Sequence, residues 1–553
     1  MSKPLRHVLT VMAIAMFAVF SFAIAPGTAR AADTGAITVD GKVATRYDAY
    51  QLFSATVIDD ADADQKVATD ITWANDAVRQ AVLPVLHDAG LDGSASTAQE
   101  AAEWMNADGH MTTSLTAKLA RTVVKADAVS AALNAGAAAE LPCGYWLIVA
   151  DDAAIAQDEA GTAPIMALVG GSAVTVKPKA ATPKVAKHVL EDSTAAWQKA
   201  ADATVADDLY WRLSATVPAG LIAYDTYAVQ FVDTMSAGLD SSKVAASMRV
   251  YVAAGADGGF NAVSTGKDGR AGTKPAKGWA DITAQCVTKV AADGTFTVRT
   301  GDLIAALGGV DAFTMGARVV AVYDAPLASG CNHGIAKGNP NEVYLRYPRS
   351  PFADQSGDAG FTRTPSDDAT AYTWDLALTK RGSDGDKPLA GAVLSIADDR
   401  GRTLAANGTW DAEGKATVTT GEDGRVTVSG VDSGKLEVRE LKAPKGYTAF
   451  EGTRSVTVKA EGLDVDQVAA AKPKLTITAE SPLRADSADG STGSLEASLI
   501  NTPTGTPPSI TTGGFMPSTG DMAMYAAAAA AVAGAALIVV ALLVKRGGGS
   551  HKE

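Results

Sequence analysis

Cysteine is nearly missing from this 553-residue chain, which has only Cys143, Cys286 and Cys331. So few thiols cannot staple a protein of this size, and a disulfide scaffold is excluded. Cys286 and Cys331 could pair inside one domain, leaving Cys143 as a buried free thiol, but sequence alone does not fix that geometry. Any mechanical or proteolytic toughness must therefore come from elsewhere. Basic charge is also short. Lys and Arg total 48 against 62 Asp and Glu, for a net charge of −14 and a pI near 5.0. That balance argues against nucleic-acid binding and suits a soluble surface protein.

Catalytic and metal patterns are missing as well. The six His are scattered without a His-Glu-x-x-His, no Cys pair has zinc-ligand spacing, and Gly-x-Ser-x-Gly does not occur. The run Gly430-Val431-Asp432-Ser433-Gly434-Lys435 is one residue short of a phosphate loop, and no Ser or Thr follows its Lys. Asp60, Asp62 and Asp64 alternate as in a calcium loop, but the turn Gly and the terminal Glu are missing. The expectation is a protein that is not an enzyme and holds no metal or cofactor.

Two long apolar runs sit at the ends. Lys3, Arg6 and His7 precede an apolar stretch from Val8 to about Ile24, and Ala29-Arg30-Ala31 has the small-residue pattern of a cleavage site. Residues 1–31 therefore read as a secretory signal peptide and are set apart from the fold. Near the other end, Met522 to Val544 carries no charge and is followed by Lys545-Arg546. At about 1.5 Å per residue such a helix spans the roughly 30 Å hydrocarbon core, and the basic pair holds the tail on the cytoplasmic side.

Between the ends there is room for about three domains. Residues 32–176 mix strands and helices. Tyr47 to Phe53 alternates like a strand, Asn75 to Ala89 and Thr113 to Ala135 have helical spacing, and Leu141 to Val149 is a turn feeding an apolar strand. Residues 177–353 and 372–504 are dominated by short alternating strands with Gly/Asp turns, the pattern of β-sandwiches. Residues 354–371 read as a Gly/Ser/Thr/Asp linker, and residues 505–515 as an extended Thr/Pro/Gly spacer. The fold class expected is mainly β: tandem Ig-like sandwiches after an α/β N-terminal domain.

In the third block, strand alternation places polar residues at core-facing positions. Trp374, Leu376, Leu378 and Lys380 share one face. Leu436, Val438 and Glu440 share a second, and Leu495, Ala497, Leu499 and Asn501 a third. A buried Lys and a buried Glu are costly and must be paired or neutral. An ordinary buried ion pair would satisfy this, as would strand ends that have already reached solvent.

Three sets of motifs carry a family resemblance. Met516-Pro517-Ser518-Thr519-Gly520 resembles the LPXTG sorting signal of Gram-positive surface proteins, with Met516 in place of Leu. Lys380 with Pro388-Leu389-Ala390-Gly391-Ala392, Glu440 within Val438 to Tyr447, and Asn501-Thr502-Pro503 together resemble the Cna-B, or SpaA-type, domain of Gram-positive pilins. Val174-Thr175-Val176-Lys177-Pro178-Lys179-Ala180 resembles the pilin motif written Tyr-Pro-Lys, with Lys177 replacing Tyr. The whole chain resembles a sortase-assembled major, or shaft, pilin.

That resemblance implies the following. A pilin-specific class C sortase cuts after Thr519 and passes it to Lys179 of an identical subunit, making a covalent polymer. Lys177 and Lys184 are the fallback acceptors. A housekeeping sortase then couples the fibre base to peptidoglycan, so residues 516–553 are a transient membrane handle and the mature protein is a cell-wall-anchored surface fimbria. Lys380 and Asn501 form an intramolecular isopeptide bond promoted by Glu440. Receptors on host or bacterial surfaces remain open at this point.

The second block resembles the isopeptide-forming middle domain of major pilins through Lys187 and Asp233, with Asp in the proton-shuttle role. It departs from the pattern at the third partner. After Val343 to Tyr347 the chain continues Pro348-Arg349-Ser350-Pro351 with no Asn, and Asn341 has the right parity but sits eight residues early. The expectation is that the standard bond is missing, that an Arg349–Asp233 ion pair replaces it, and that Lys187 is inert or at the surface. A monomeric wall-anchored adhesin with a sandwich stalk shares every feature except the acceptor lysine.

Overall fold

A computed structural model describes residues 33–505 except 61–64, 127–129, 157, 162, 179–181, 219–222, 256–277, 314–315 and 354. The expected signal peptide, sorting signal Met516–Gly520, membrane helix and acceptor Lys179 all lie outside the described residues. Among those described, no helix is long and apolar enough to cross a membrane.

The first unit is organised by one long strand, Arg46–Asp60, which pairs with Gln65–Trp73, Ser130–Asn134 and Gly144–Ala150. Both faces of this sheet are covered. Phe53, Tyr145, Leu147 and Val149 pack under three helices, and Tyr47, Ala49, Trp146 and Ile148 pack against a small sheet built on Thr34–Val39. Double coverage is why Gly144–Ala150 is buried along its whole length, and why it reads as a continuous apolar run rather than an alternating one. Each helix starts at a side-chain cap. Asn75 accepts from Val78 N, Thr97 and Glu100 form a capping box, and Thr112 accepts from Leu115 N, each contributing about 1 kcal/mol. The helix Thr113–Lys125 ends ten residues before the apolar spacing does, because Ser130–Asn134 is taken up as a strand beside Arg46–Asp60. The helix Ala98–Asn106, not anticipated from sequence, carries its Ala-rich face against the same sheet.

The middle unit is a sandwich of a six-stranded and a seven-stranded sheet. Trp211, Phe231, Phe296, Tyr323 and Tyr347 fill the space between them, each fully buried. One correction concerns residues 354–371. They do not form a free linker, because Phe361–Arg363 and Asp367–Tyr372 both pair with Asn339–Pro348 and complete the larger sheet. Their Gly/Ser/Asp richness belongs to the loop before these strands, and the alternation Ala369/Ala371 at zero exposure carries the core contact.

The third unit is a second sandwich. One sheet has the order Arg425–Val431, Trp374–Gly382, Ser494–Pro503, and the facing sheet is centred on Val393–Ala397, Gly434–Lys442 and Thr453–Glu461. Its first and last strands lie side by side and parallel. No disulfide joins the three cysteines, and Cys143 is buried.

Candidate functional site: two buried lysines between facing sheets

The parallel pairing of Trp374–Gly382 with Ser494–Pro503 sets Lys380 opposite Leu499 and Gly382 opposite Asn501. Period-two alternation then turns both Lys380 and Asn501 into the sandwich, while Glu440 enters from the facing sheet. Lys380, Glu440 and Asn501 are 0%, 6% and 2% exposed, so none reaches bulk water. Lys380 Nζ lies 3.6 Å from Glu440 Oε1 and donates to Leu499 O at 3.2 Å. Asn501 Nδ2 donates to the same Glu440 Oε1 at 2.9 Å, so one carboxyl oxygen bridges amine and carboxamide. The other oxygen accepts from Phe450 N. Burial pushes the Lys380 amine down to about 8, against the opposing pull of Glu440. Asn501 Oδ1 is buried with no hydrogen-bond partner, an arrangement that costs about 1–3 kcal/mol.

The middle sandwich repeats this plan with different groups. Lys187 on Lys184–Glu191 and Asp233 on Gln230–Met235 both have zero exposure and are in direct contact across the core. Lys187 is therefore not at the surface. A phenol completes the set. Tyr323 OH accepts from Lys187 Nζ and from Asn341 Nδ2, each at 2.9 Å, and donates to Asp233 Oδ2 at 3.1 Å. One hydroxyl has one proton and two lone pairs, so these three bonds saturate it. Asn341 is itself fully buried and pairs with Met235, one step along the same face from Asp233. Lys187 Nζ also sits 5.5 Å from the ring centroids of Trp211 and Tyr323. Burial pushes this amine down to about 8 and pushes the Asp233 carboxyl up, with the Lys187 charge opposing. Asp233 Oδ1 and Asn341 Oδ1 both lack partners.

The expected Arg349–Asp233 pair does not form. Arg349 lies beyond the end of its strand, where its Nη1 donates to Asp152 O at the border with the first unit. Asp233 already has Lys187. Tyr323 was not picked out from sequence, although Ala317, Val319, Ala321 and Tyr323 alternate inward and put a phenol at the last core position. Lys177 is described and is largely exposed, at 74% of its side chain, with Nζ 3.5 Å from Asp40 Oδ2. Among the described residues, no group of three or more His, Cys, Asp or Glu is placed to hold a metal ion.

The Lys380–Glu440–Asn501 site falls within a recognisable module. Residues 375–472 match the SpaA family, a prealbumin-like fold domain. The match takes in Lys380 and Glu440 and stops short of Asn501, which the parallel strand pairing adds to the SpaA-like unit. A curated relative, the trypsin-resistant surface T6 protein of Streptococcus pyogenes serotype M6, is 30% identical over 129 residues, 22% of this chain. The chain spans about a fifth of that relative's length, 22%. Similar solved structures include the T6 backbone pilin of serotype M6 Streptococcus pyogenes, at 15% identity, 88% of this chain, 100% of that one and a TM-score of 0.46. The full-length major pilin SpaD of Corynebacterium diphtheriae matches at 14% identity, 85% and 97% coverage and a TM-score of 0.40.

Proposed function

We propose that this chain is a structural subunit of a covalently polymerised, cell-wall-anchored pilus that mediates surface adhesion. The observation that carries the reading is the SpaA-like sandwich with Lys380, Glu440 and Asn501 converging in its dry core. Such a site is suited to one chemical act. A neutral Lys380 Nζ attacks Asn501 Cγ, the Cγ–Nδ2 bond breaks, and ammonia leaves with protons relayed by Glu440. Packing supplies the proximity and the sheet walls exclude water, so a single-turnover amide forms without a separate enzyme. With the carboxamide turned so that Oδ1 faces Glu440, the protonated acid donates to it and polarises the carbon under attack.

The middle sandwich would form a second amide, between Lys187 and Asn341. Asp233 takes the proton-relay role there, and Tyr323 holds amine and carboxamide on one oxygen. Neither bond needs oxidation, which fits an exported chain whose three cysteines form no disulfide.

Polymerisation rests on the two sequence motifs. Thr519 of the sorting signal is the electrophilic end, and Lys179 in Lys177-Pro178-Lys179 is the incoming amine. A pilin-specific class C sortase would join identical subunits, and a housekeeping sortase would attach the base to peptidoglycan. Domain limits of 32–176, 177–353 and 372–504 go with this proposal, the second extended by the strands up to Tyr372. The competing reading is a monomeric wall-anchored adhesin that uses the sandwiches as a stalk.

Wall extracts boiled in SDS and probed for this protein separate the two. A high-mass ladder that collapses to a single wall-linked band in Lys179→Ala is the expected result. A ladder that survives Lys179→Ala moves the acceptor to Lys177 or Lys184. A wild-type single band under expressing conditions refutes the polymer and leaves the adhesin.

A further inference from the structure

The middle sandwich closes around its buried lysine at a corner where the chain changes sheets. Ala196–Gln198 is an edge strand of the six-stranded sheet, and Ala200–Asp202 an edge strand of the seven-stranded one. Lys199 is the single residue that crosses between them. The crossing leaves a gap. Ala196–Gln198 covers Lys184–Glu191 only from Glu191 to Val189. The next N–H along that edge, at Lys187, lies beyond the covering strand and needs another acceptor.

Asp367 fills the gap. Its Oδ2 accepts from Lys187 N at 2.6 Å and is held by the Lys199 ammonium, which also donates to Asp368 O at 3.1 Å. Thr370 N donates to Lys199 O at 2.9 Å. The crossing residue, 8% exposed, is thus fastened by side chain and backbone to one strand, Asp367–Tyr372. That strand has a second neighbour. It pairs antiparallel with Asn339–Pro348, where Ala369 is the partner of Asn341.

Two residues therefore separate the carboxylate that grips the Lys187 backbone from the residue beside the Asn341 backbone. Lys187 belongs to the six-stranded sheet and Asn341 to the seven-stranded one. Apolar packing between the two sheet faces is non-directional, so it sets their spacing better than their register. The Asp367 bond is directional and crosses from one sheet to the other.

We infer that Asp367 is a positioning residue for the Lys187–Asn341 amide: its carboxylate, steadied by Lys199, fixes the root of the nucleophile against the strand beside Asn341. The inference rests on the middle-unit amide proposed above. In that reaction the Lys187 Nζ–Asn341 Cγ bond forms as Cγ–Nδ2 breaks. A proton passes from the amine through Asp233 to the leaving nitrogen, which departs as ammonia. Asp367 bonds to the Lys187 backbone and not to these atoms, so it acts on distance alone. A misplacement of about 1 Å costs a proximity-driven reaction about 10²-fold. Because Asp367–Tyr372 is the last strand of the middle unit, the amine is placed only once that whole unit has folded.

The full chain, collected unfolded and unreacted from inclusion bodies and diluted into detergent buffer between pH 5 and pH 9, tests this. Mass spectrometry follows ammonia loss in the linked peptide pair that contains residues 187 and 341. Asp367→Ala and Asp367→Asn both remove the charge, but only Asn keeps an oxygen for the Lys187 N–H. The expected result is that Asp367→Ala reacts about tenfold or more slowly than Asp367→Asn at every pH. The rate should level off at the same pH in both, and the third-unit amide should form at an unchanged rate. Equal rates for the two variants overturn the inference. A difference that is only a displacement along the pH axis also overturns it, because that is an effect of charge. If Asp367→Ala does not refold, Lys199→Met reads the same point, since it keeps the stem and frees the carboxylate. Its plateau rate should fall about threefold or more, and an unchanged plateau overturns the inference. A wild-type chain that never links 187 to 341 refutes the middle amide itself, and the positioning role with it.

Discussion

Replacing Asn501 with Ala removes the electrophile of the proposed third-unit amide and little else, since its side chain makes one hydrogen bond, to Glu440. The consequence can be worked from the topology. A Lys380–Asn501 link closes a loop of about 120 residues (501 − 380), and cross-linking a loop of that length removes unfolded-state entropy worth about 5 kcal/mol at 25 °C. A sandwich of about 130 residues has an unfolding entropy near 0.28 kcal/mol/K, so the variant should melt about 15–20 °C below wild type. The strain-free parallel register of the two strands favours the full value, because the link joins neighbours already paired from Asp375–Ser494 to Gly382–Asn501. Calorimetry of both proteins gives the shift, and intact mass supplies the control. Wild type should weigh less than its sequence by the mass of one ammonia per bond, and Asn501→Ala should have one such deficit fewer. A wild-type protein at full sequence mass refutes the amide. A mass deficit accompanied by equal melting temperatures refutes the loop-entropy argument and leaves the chemistry standing.

Glu440→Gln keeps the shape of the bridging side chain but cannot relay a proton, so amide formation after refolding should slow about 10²–10⁴-fold by time-resolved mass spectrometry; an unchanged rate would remove Glu440 from the reaction. The nucleophile is the neutral Lys380 amine, which burial holds at about 8, so the rate of amide formation should fall about tenfold per pH unit below that value. A rate that is flat from pH 5 to 8 would show that amine deprotonation is not limiting. In the middle unit, Asn341→Ala should restore the mass of one ammonia to the full chain, whereas Arg349→Ala should not; an Asn341→Ala variant with the wild-type mass deficit would remove Asn341 from the reaction. Tyr323→Phe leaves the fold's largest apolar contacts in place but uncouples Lys187 from Asn341, so the second ammonia should be lost more slowly, by the same mass assay.

How much of this was legible beforehand depended on how local the signal was. The inward positions of Lys380, Glu440 and Asn501 follow from period-two alternation, since each strand carries its own parity and apolar neighbours on both sides confirm the face. The helices of the first unit were half legible. Asp76–Asp88 lies within a clear apolar spacing, but Ala98–Asn106 has a mostly Ala face, too weak in hydrophobic contrast to announce itself. The supposed linker failed for a different reason. Asp367–Tyr372 is a short strand whose inward residues are two alanines, and only its pairing with Asn339–Pro348 makes it part of the sheet. Composition records the loop and misses the strand.

The middle site was misread because distance along the strand was treated as distance in space. Asn341 sits eight residues before the position where a partner was sought, yet its antiparallel register with Met235 brings it beside Asp233, and the pairing with Asp367–Tyr372 keeps that stretch in the core. No counting along one strand recovers this, because the register is set by the neighbours. Tyr323 belongs to a third strand and connects the other groups through a single oxygen. The same reasoning explains why the two sites use different acids. In the third unit, Glu440 comes from the facing sheet and its longer side chain crosses the gap to reach Lys380 and Asn501 without a phenol between them. In the middle unit the shorter Asp233 reaches Lys187 directly but meets the carboxamide through the Tyr323 phenol. Acid length and the presence of a phenol are therefore one geometric choice, and exchanging Asp233 for Glu without removing Tyr323 would overfill a core in which both side chains have no exposure.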